Sequence, residues 1–267
     1  MLLIKGGGGK GINWEFIGED VSQLVKRGEK IIIVHGASAR RDEIAEKLNA
    51  PTKTIISPSG MTSVYTDEKA LDVFLMVYCG LMNKRIVGIL QKYGVNAVGL
   101  SGVDGRIWEA KRKDVVYAVE NGKTKLIKDN FTGRVEKVNK ELLELLLENK
   151  FIPVVCPPAI SYNNEIVNTD NDVAATVMAG ALGVKQMVVL FEAPGMLKDA
   201  RNEKSVIRKI EKEKIDDFME YAVGRMKKKL LGAKKAFENG VERIYWGDGR
   251  IKNPVLSAMG GKGTVIA

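Results

Sequence analysis

Short apolar runs alternate with longer amphipathic stretches from one end of the chain to the other, and this alternation constrains the fold most. Residues 2–5, 30–35, 97–101, 152–156, 187–191 and 243–246 have the composition of strands. Several are unbroken Val, Ile and Leu without a polar alternate, as expected of strands covered on both faces. Helical patterns fill the intervals, at 14–26, 41–48, 70–93, 140–148, 171–182 and 215–239, the last in one or two pieces. Such an order predicts an α/β fold: a three-layer αβα sandwich around a mainly parallel central sheet.

Residues 103–135 break the rhythm. Apolar segments at 115–119 and 124–127 flank Glu120-Asn121-Gly122-Lys123, the signature of a β-hairpin on an Asn-Gly turn. The excursion carries Arg106, Lys111, Arg112, Lys113, Lys123 and Lys125, and is expected outside the main sheet, over a site or at a partner surface. Pro157-Pro158 marks a lobe boundary, giving an N-terminal lobe of residues 1–160 and a C-terminal lobe of 161–267.

At 267 residues, 45% hydrophobic and 28% charged, the chain has the composition of an ordinary soluble globular protein. Its apolar runs are interrupted by glycine or charge before 18 residues, so no transmembrane helix and no membrane partner are expected. The apolar N-terminus lacks the basic segment of a signal peptide. Cys79 and Cys156 lie in apolar stretches without metal spacing, as core thiols of a cytoplasmic protein would. The net charge is +9, but the cations are dispersed and no zinc-finger, homeodomain or RNP pattern is present. Nucleic acid is therefore not the expected partner. Most of the charge fits a solvated lysine-rich surface, and the rest would steer an acidic protein or a polyanionic nucleotide.

Lys5 closes the first apolar run and is followed by Gly6-Gly7-Gly8-Gly9. Consecutive glycines let backbone N–H groups curl around anionic oxygens, and a lysine at the rim adds a mobile cation. The run is not a P-loop, because Gly11 stands where the hydroxyl should follow Lys10, and no acid ends the second strand as a dinucleotide site requires. By itself it is also compatible with a flexible structural turn.

Other segments bear on phosphate chemistry. His35-Gly36-Ala37-Ser38 follows the second strand at its carboxyl end, where open α/β sheets bind ligands. Asn168-Thr169-Asp170-Asn171-Asp172 opens a helical run with more polar groups than a cap needs, and Asn168 and Asp172 would share a face if the segment were helical. Gly224-Arg225-Met226-Lys227-Lys228-Lys229 places cations at a helix start, against the macrodipole unless an anion joins them. Phe191-Glu192-Ala193-Pro194-Gly195 and Tyr245-Trp246-Gly247-Asp248-Gly249 carry two further strand ends into glycine-rich loops, which suggests a nucleotide cleft.

In this order the motifs resemble the amino acid kinase family, acetylglutamate kinase branch, over essentially the whole chain. Within that branch residues 59–67, 99–109, 157–161 and 224–229 resemble the [LysW]-aminoadipate kinases. The resemblance implies ATP-dependent phosphorylation of the side-chain carboxylate of α-aminoadipate or glutamate borne on a small acidic amino-group carrier protein. Lysine biosynthesis, with arginine biosynthesis as a further setting, would consume the acyl phosphate. It makes Lys5 and Lys229 the catalytic lysines and Asp172 the aspartate that orients them. Gly7, Gly8 and Gly36 would bind the ATP phosphates, and Glu192, in a later strand-end loop, belongs to the nucleotide site. Gly36, Ala37, Val64 and Asn168 would face the acyl acceptor. Mg²⁺ would come with the nucleotide, with no metal site of the protein's own, and a homodimer would form through the N-terminal lobe, with residues 71–90 as one surface for it.

Two positions depart from the family. Val64 stands where an arginine usually clamps the acceptor's α-carboxylate, a contact valine cannot make. Ala37 replaces a glycine. Arg40 or Arg41 is the expected substitute cation. Alternative readings are an N-acetylglutamate kinase and a non-catalytic nucleotide- or amino-acid-sensing relative. The intact Lys5, Asp172 and Lys229 count against the second.

Overall fold

The computed structural model describes residues 1–267 apart from Ser59, Met61, Asn121 and Val223, and describes only the backbone of Arg225. Along the chain run β1 (Leu2–Gly6), α1 (Trp14–Lys26), β2 (Ile31–His35), α2 (Ser38–Lys47) and a small antiparallel hairpin of β3 (Thr54–Ile56) and β4 (Thr62–Val64). Helix α3 (Glu68–Phe74) continues through widened π-type turns at Leu75–Met82 into α4 (Asn83–Lys92). Next come β5 (Ala97–Gly102), β6 (Trp108–Arg112), β7 (Val116–Glu120), β8 (Lys123–Ile127), β9 (Thr132–Val138) and α5 (Lys140–Glu148). The remainder holds β10 (Ile152–Ser161), β11 (Ile166–Thr169), α6 (Asn171–Ala181), β12 (Gln186–Phe191), β13 (Lys209–Ile210), α7 (Arg225–Glu238), β14 (Arg243–Asp248), α8 (Pro254–Met259) and β15 (Thr264–Ile266).

The six apolar runs are the centre of the sheet. β5, β10, β2, β1, β12 and β14 lie side by side in that order, each parallel to the next. Antiparallel strands extend both edges, with β15 beside β14 and the outer half of β10 paired to β11. Alternate residues of the central strands enter two separate cores. Leu3, Ile32, Val34, Val155 and Val189 face one, while Ile4, Ile31, Ile33, Val154 and Val188 face the other. A strand with both faces buried cannot alternate in polarity, which explains the unbroken runs.

Helices cover each face through one apolar stripe. In α1 the buried Trp14, Ile17, Val21 and Leu24 recur at helical spacing, and Asn13 caps the start by accepting from Phe16 N at 3.2 Å. The 215–239 pattern resolves into a 3₁₀ segment at Lys212–Tyr221 followed by α7.

One helix bears on the expected absence of a membrane span. Glu68–Lys92 is a continuous 25-residue helix with a mean hydropathy of 1.6, long and apolar enough to cross a membrane by length and composition alone. Here 39% of its apolar window is buried inside the protein, with Val73, Phe74, Val77, Ile86 and Leu90 packed inward.

The β7–β8 hairpin stands apart from the main sheet, with Glu120 paired to Lys123 and Val119 to Thr124, but β6, which carries Lys111 and Arg112, and β9 are strands of the main sheet, so the excursion lies outside it only in part. Of its two turn residues, Asn121 lies outside the described residues. Gly122 has φ +73°, the left-handed conformation that an Asn-Gly turn requires.

Ile33 is fully buried at the middle of the parallel sheet. Ile33→Ala is expected to lower stability by about 2–5 kcal/mol in chemical denaturation. A loss below about 1 kcal/mol would contradict the two-faced packing of β2.

Candidate active site

Strand β1 lies between β2 and β12, and Lys5 is near its carboxyl end, only 3% exposed. An ammonium this buried needs a counter-charge. Asp172 supplies it, with Oδ1 2.6 Å from Lys5 Nζ. The carboxylate stands in the first turn of α6, where unpaired N–H groups favour a negative charge. Asp170 caps that helix, accepting from Asp172 N at 2.8 Å and Val173 N at 3.2 Å. Lys229, early in α7, brings Nζ to 3.1 Å from Asp172 Oδ2 and lies 5.3 Å over the Phe191 ring. One carboxylate thus holds two lysines that are 224 positions apart in sequence.

The charges set the ionisation of the group. Burial works to raise the Asp172 carboxyl, but Lys5 and Lys229 outweigh it and hold the group well below the usual carboxylate range. Burial, then the Lys5 charge, push Lys229 down to about 8 against the opposing pull of Asp172. Near neutral pH the cluster carries a net positive charge with room for an anion.

These three side chains line a cavity of about 790 Å³ at the carboxyl ends of β1 and β2. Gly7, Gly8, Gly36, Glu192, Val64 and Asn168 line it too. The sequence therefore selected residues that the fold brings together, but several act differently from expectation.

Asn168 is the last-but-one residue of β11, outside helix α6, so it and Asp172 share the cavity rather than a helix face. Its Nδ2 donates to Thr66 Oγ1 at 3.1 Å. Gly7 donates its N–H to Leu190 O at 2.9 Å, and Gly36 donates its own to Gly6 O at 3.1 Å. The ladders of the parallel sheet run on past the strand ends and use both groups. Among the described residues, the N–H groups of Gly8 and Gly9 have no partner within the chain. A Cβ on Gly8 would meet Ser38 N at 2.6 Å, and one on Gly36 would meet Asn171 Nδ2 at 2.7 Å. Both glycines are required by this close approach of two loops.

Ala37 does not line the cavity. It is buried with Val73, Phe74, Val77 and Tyr78 in the small core beneath α2. Glu192 crosses the glycine loop and accepts from Gly11 N at 2.6 Å, so its carboxylate braces the loop. The loop after β14 does not line the cavity.

His35 is fully buried. Its Nδ1 is 3.3 Å from Gly36 O and its Nε2 is 3.1 Å from Asn83 Nδ2. Burial, first, and the Lys84 charge lower its pKa to about 4. It is neutral at pH 7 and structural.

On the opposite wall the two arginine candidates separate. Arg41 lines the cavity, largely buried, with its guanidinium 5.0 Å from the Phe74 ring centre and Nε 2.9 Å from Asp42 Oδ1. Arg40 does not line it and pairs with Glu43 on the surface. Val64 is half-buried against the Phe74 and Tyr78 cluster. Sequence reasoning gave Lys228 no role apart from the cation cluster at the start of α7. It lines the cavity and donates to Thr62 O at 2.7 Å. Its place next to Lys229 was the only signal.

The chain belongs to the amino acid kinase family, whose model matches residues 4–245. It is a phosphotransferase. It is 46% identical over the whole of both chains to the [LysW]-aminoadipate kinase of Thermus thermophilus. To the protein of the same name from Deinococcus radiodurans it is 47% identical, over all of this chain and 91% of that one. Among solved structures, N-acetylglutamate synthase from Neisseria gonorrhoeae in complex with coenzyme A and N-acetyl-glutamate shares the fold. There the TM-score is 0.80 at 22% identity, over all of this chain and 59% of that one.

Titration of Lys229, followed through its side-chain carbon resonances, should show a midpoint near pH 8. Asp172→Asn should lower it further, since the carboxylate raises it and the Lys5 charge does not. A midpoint near 10.5 in both proteins would contradict this geometry.

Proposed function

We propose that the protein uses ATP to phosphorylate the side-chain carboxylate of α-aminoadipate or glutamate held on a small amino-group carrier protein of the LysW type. The single observation that carries this reading is the Lys5–Asp172–Lys229 cluster at the end of a cavity bordered by the glycine loop. Phosphoryl transfer needs positioning and charge stabilisation far more than covalent chemistry. Lys5 and Lys229 neutralise the oxygens of the transferring group, and Asp172 sets their separation. The unpaired N–H groups of Gly8 and Gly9 receive phosphate oxygens, while Gly7 and Gly36 provide only the space. The acceptor carboxylate is ionised at neutral pH and needs no base, consistent with a buried, neutral His35.

The division of labour follows the two parts of the chain. Residues 1–160 receive the acceptor against Val64, with Asn168 of the second part reaching into the same wall, and residues 161–267 receive the nucleotide beyond Phe191 and Glu192. Mg²⁺ accompanies the nucleotide. Among the described residues no three His, Cys, Asp or Glu side chains cluster, and Asp172 is already held by both lysines. The residues present therefore do not fit a protein-held ion. The enzyme works in the cytoplasm, in lysine biosynthesis and in arginine biosynthesis where glutamate is the acceptor. It dimerises through the exposed side of the Glu68–Lys92 helix, where Met76 is 51% exposed.

Hydroxylamine trapping of the acyl phosphate tests the reading, with carrier-linked aminoadipate, carrier-linked glutamate and free N-acetylglutamate compared side by side. Turnover of a carrier-linked acceptor at least ~10-fold above the free one is expected, a difference of about 1.4 kcal/mol. Preference for free N-acetylglutamate would overturn it.

Of the two arginine candidates, Arg41 is the one available to a second carboxylate of the acceptor. Arg41→Ala should raise KM for the acceptor by roughly 10- to 100-fold, as loss of a charged hydrogen bond does, with KM for ATP unchanged. Arg40→Ala should change neither. An unaltered acceptor KM in Arg41→Ala would remove Arg41 from the site.

A further inference from the structure

We infer that Lys228 and Thr66 set the length of dicarboxylate that the site accepts, an inference resting on the carboxylate-kinase reading above. The acceptor wall is β4 with Tyr65 and Thr66 just beyond it. β4 and β3 form a two-stranded sheet of their own, so no ladder of the main sheet fixes the distance of the wall from Lys5 and Lys229. Side chains from the second part of the chain do so instead, one at each end of the wall. Lys228 Nζ donates to Thr62 O at 2.7 Å, and Asn168 Nδ2 donates to Thr66 Oγ1 at 3.1 Å. Val64, which lines the cavity, stands between the two pins.

Each pin is close in the chain to a catalytic group. Lys228 and Lys229 are consecutive on α7, where neighbours point about 100° apart. Lys229 turns to Asp172, and Lys228 crosses the cavity to β4. Asn168 lies on β11, four positions before Asp172. The joint at Thr66 is directional. Thr66 is fully buried and its hydroxyl donates to Val64 O at 3.3 Å, which leaves Oγ1 to accept from the Asn168 amide. Thr66 N donates to Asn130 Oδ1 at 2.9 Å, Phe131 N donates to Thr66 O at 2.7 Å, and Asn168 N donates to Phe131 O at 2.9 Å. Backbone and side chain together hold this end of the wall.

A wall pinned at a set distance from two lysines works as a gauge. The acceptor must reach from the wall to the lysine pair, and a displacement of about 1 Å from the reactive geometry can cost roughly 100-fold in rate. One methylene too many or too few is worth about 10- to 200-fold in discrimination. Glutamate and α-aminoadipate differ by a single methylene. A rigid wall therefore chooses between them, and a loosened one admits both.

The test compares glutamate with α-aminoadipate, each joined through its amino group to the same small acidic carrier domain and each also as its N-acetyl derivative. The wild-type full-length enzyme should favour one length by about 10-fold or more in kcat/KM. In Lys228→Met and in Thr66→Val that preference should shrink to about threefold or less. Thr66→Ser, which keeps the hydroxyl, should retain it. So should Lys227→Met, at an exposed neighbour that does not line the cavity. Lys228→Met decides the outcome if Thr66→Val does not fold. A preference unchanged in either folded variant would overturn the inference, even with activity lowered equally toward both lengths, the mark of a cation that serves only the phosphates. A wild-type enzyme that uses both lengths equally would overturn it too. Failure of the wild-type enzyme to phosphorylate any of the four acceptors would instead remove the reading beneath it.

Discussion

Asp172 lies between two buried ammonium groups, and most of the active site depends on that one contact. Each lysine alone would be costly to bury, and the two repel each other. A carboxylate within 2.6 Å of one and 3.1 Å of the other makes the arrangement possible while leaving a net positive charge. A phosphate entering the cavity then meets a site already organised for it, without having to gather mobile cations.

The sheet is what brings these groups together. β1 carries Lys5 at the centre, between β2 and β12, and its carboxyl end opens into the glycine loop. Helix α6 supplies Asp172 and the start of α7 supplies Lys229, so three separate elements meet at one point. The same ladder that holds β1 in place uses up the N–H groups of Gly7 and Gly36. Gly8 and Gly9, one step beyond the ladder, keep theirs. Gly7 and Gly36 thus fix the loop, and their neighbours keep N–H groups free for the anion that we propose to bind there.

The sheet was legible in the sequence because strands buried on two faces have no polar alternate, and residues such as Ile31, Ile32 and Ile33 can hardly adopt another role. Lys5, Asp172 and Lys229 were legible through their motif resemblance, since nothing local says that residues 5 and 229 meet. The functions of Gly7, Gly36 and Ala37 were not legible. Which N–H groups the ladders use, and which side chain turns into the small core, are settled only by the register of the folded strands. Arg41 and Arg40 are likewise indistinguishable in sequence. One faces Phe74 and the cavity and the other faces solvent because adjacent positions on a helix point about 100° apart.

Burial explains why His35 looked more suggestive than it is. A lone histidine at a strand end beside a glycine fits a catalytic group, yet full enclosure with Asn83 keeps it neutral. The account rests instead on the lysine pair acting in the transition state. Its most direct test is the rate of phosphoryl transfer in Lys5→Ala and Lys229→Ala, with nucleotide binding measured separately. Losses of about 100-fold or more in kcat, with ATP still bound, are the expected result. Full transfer by either variant would contradict it.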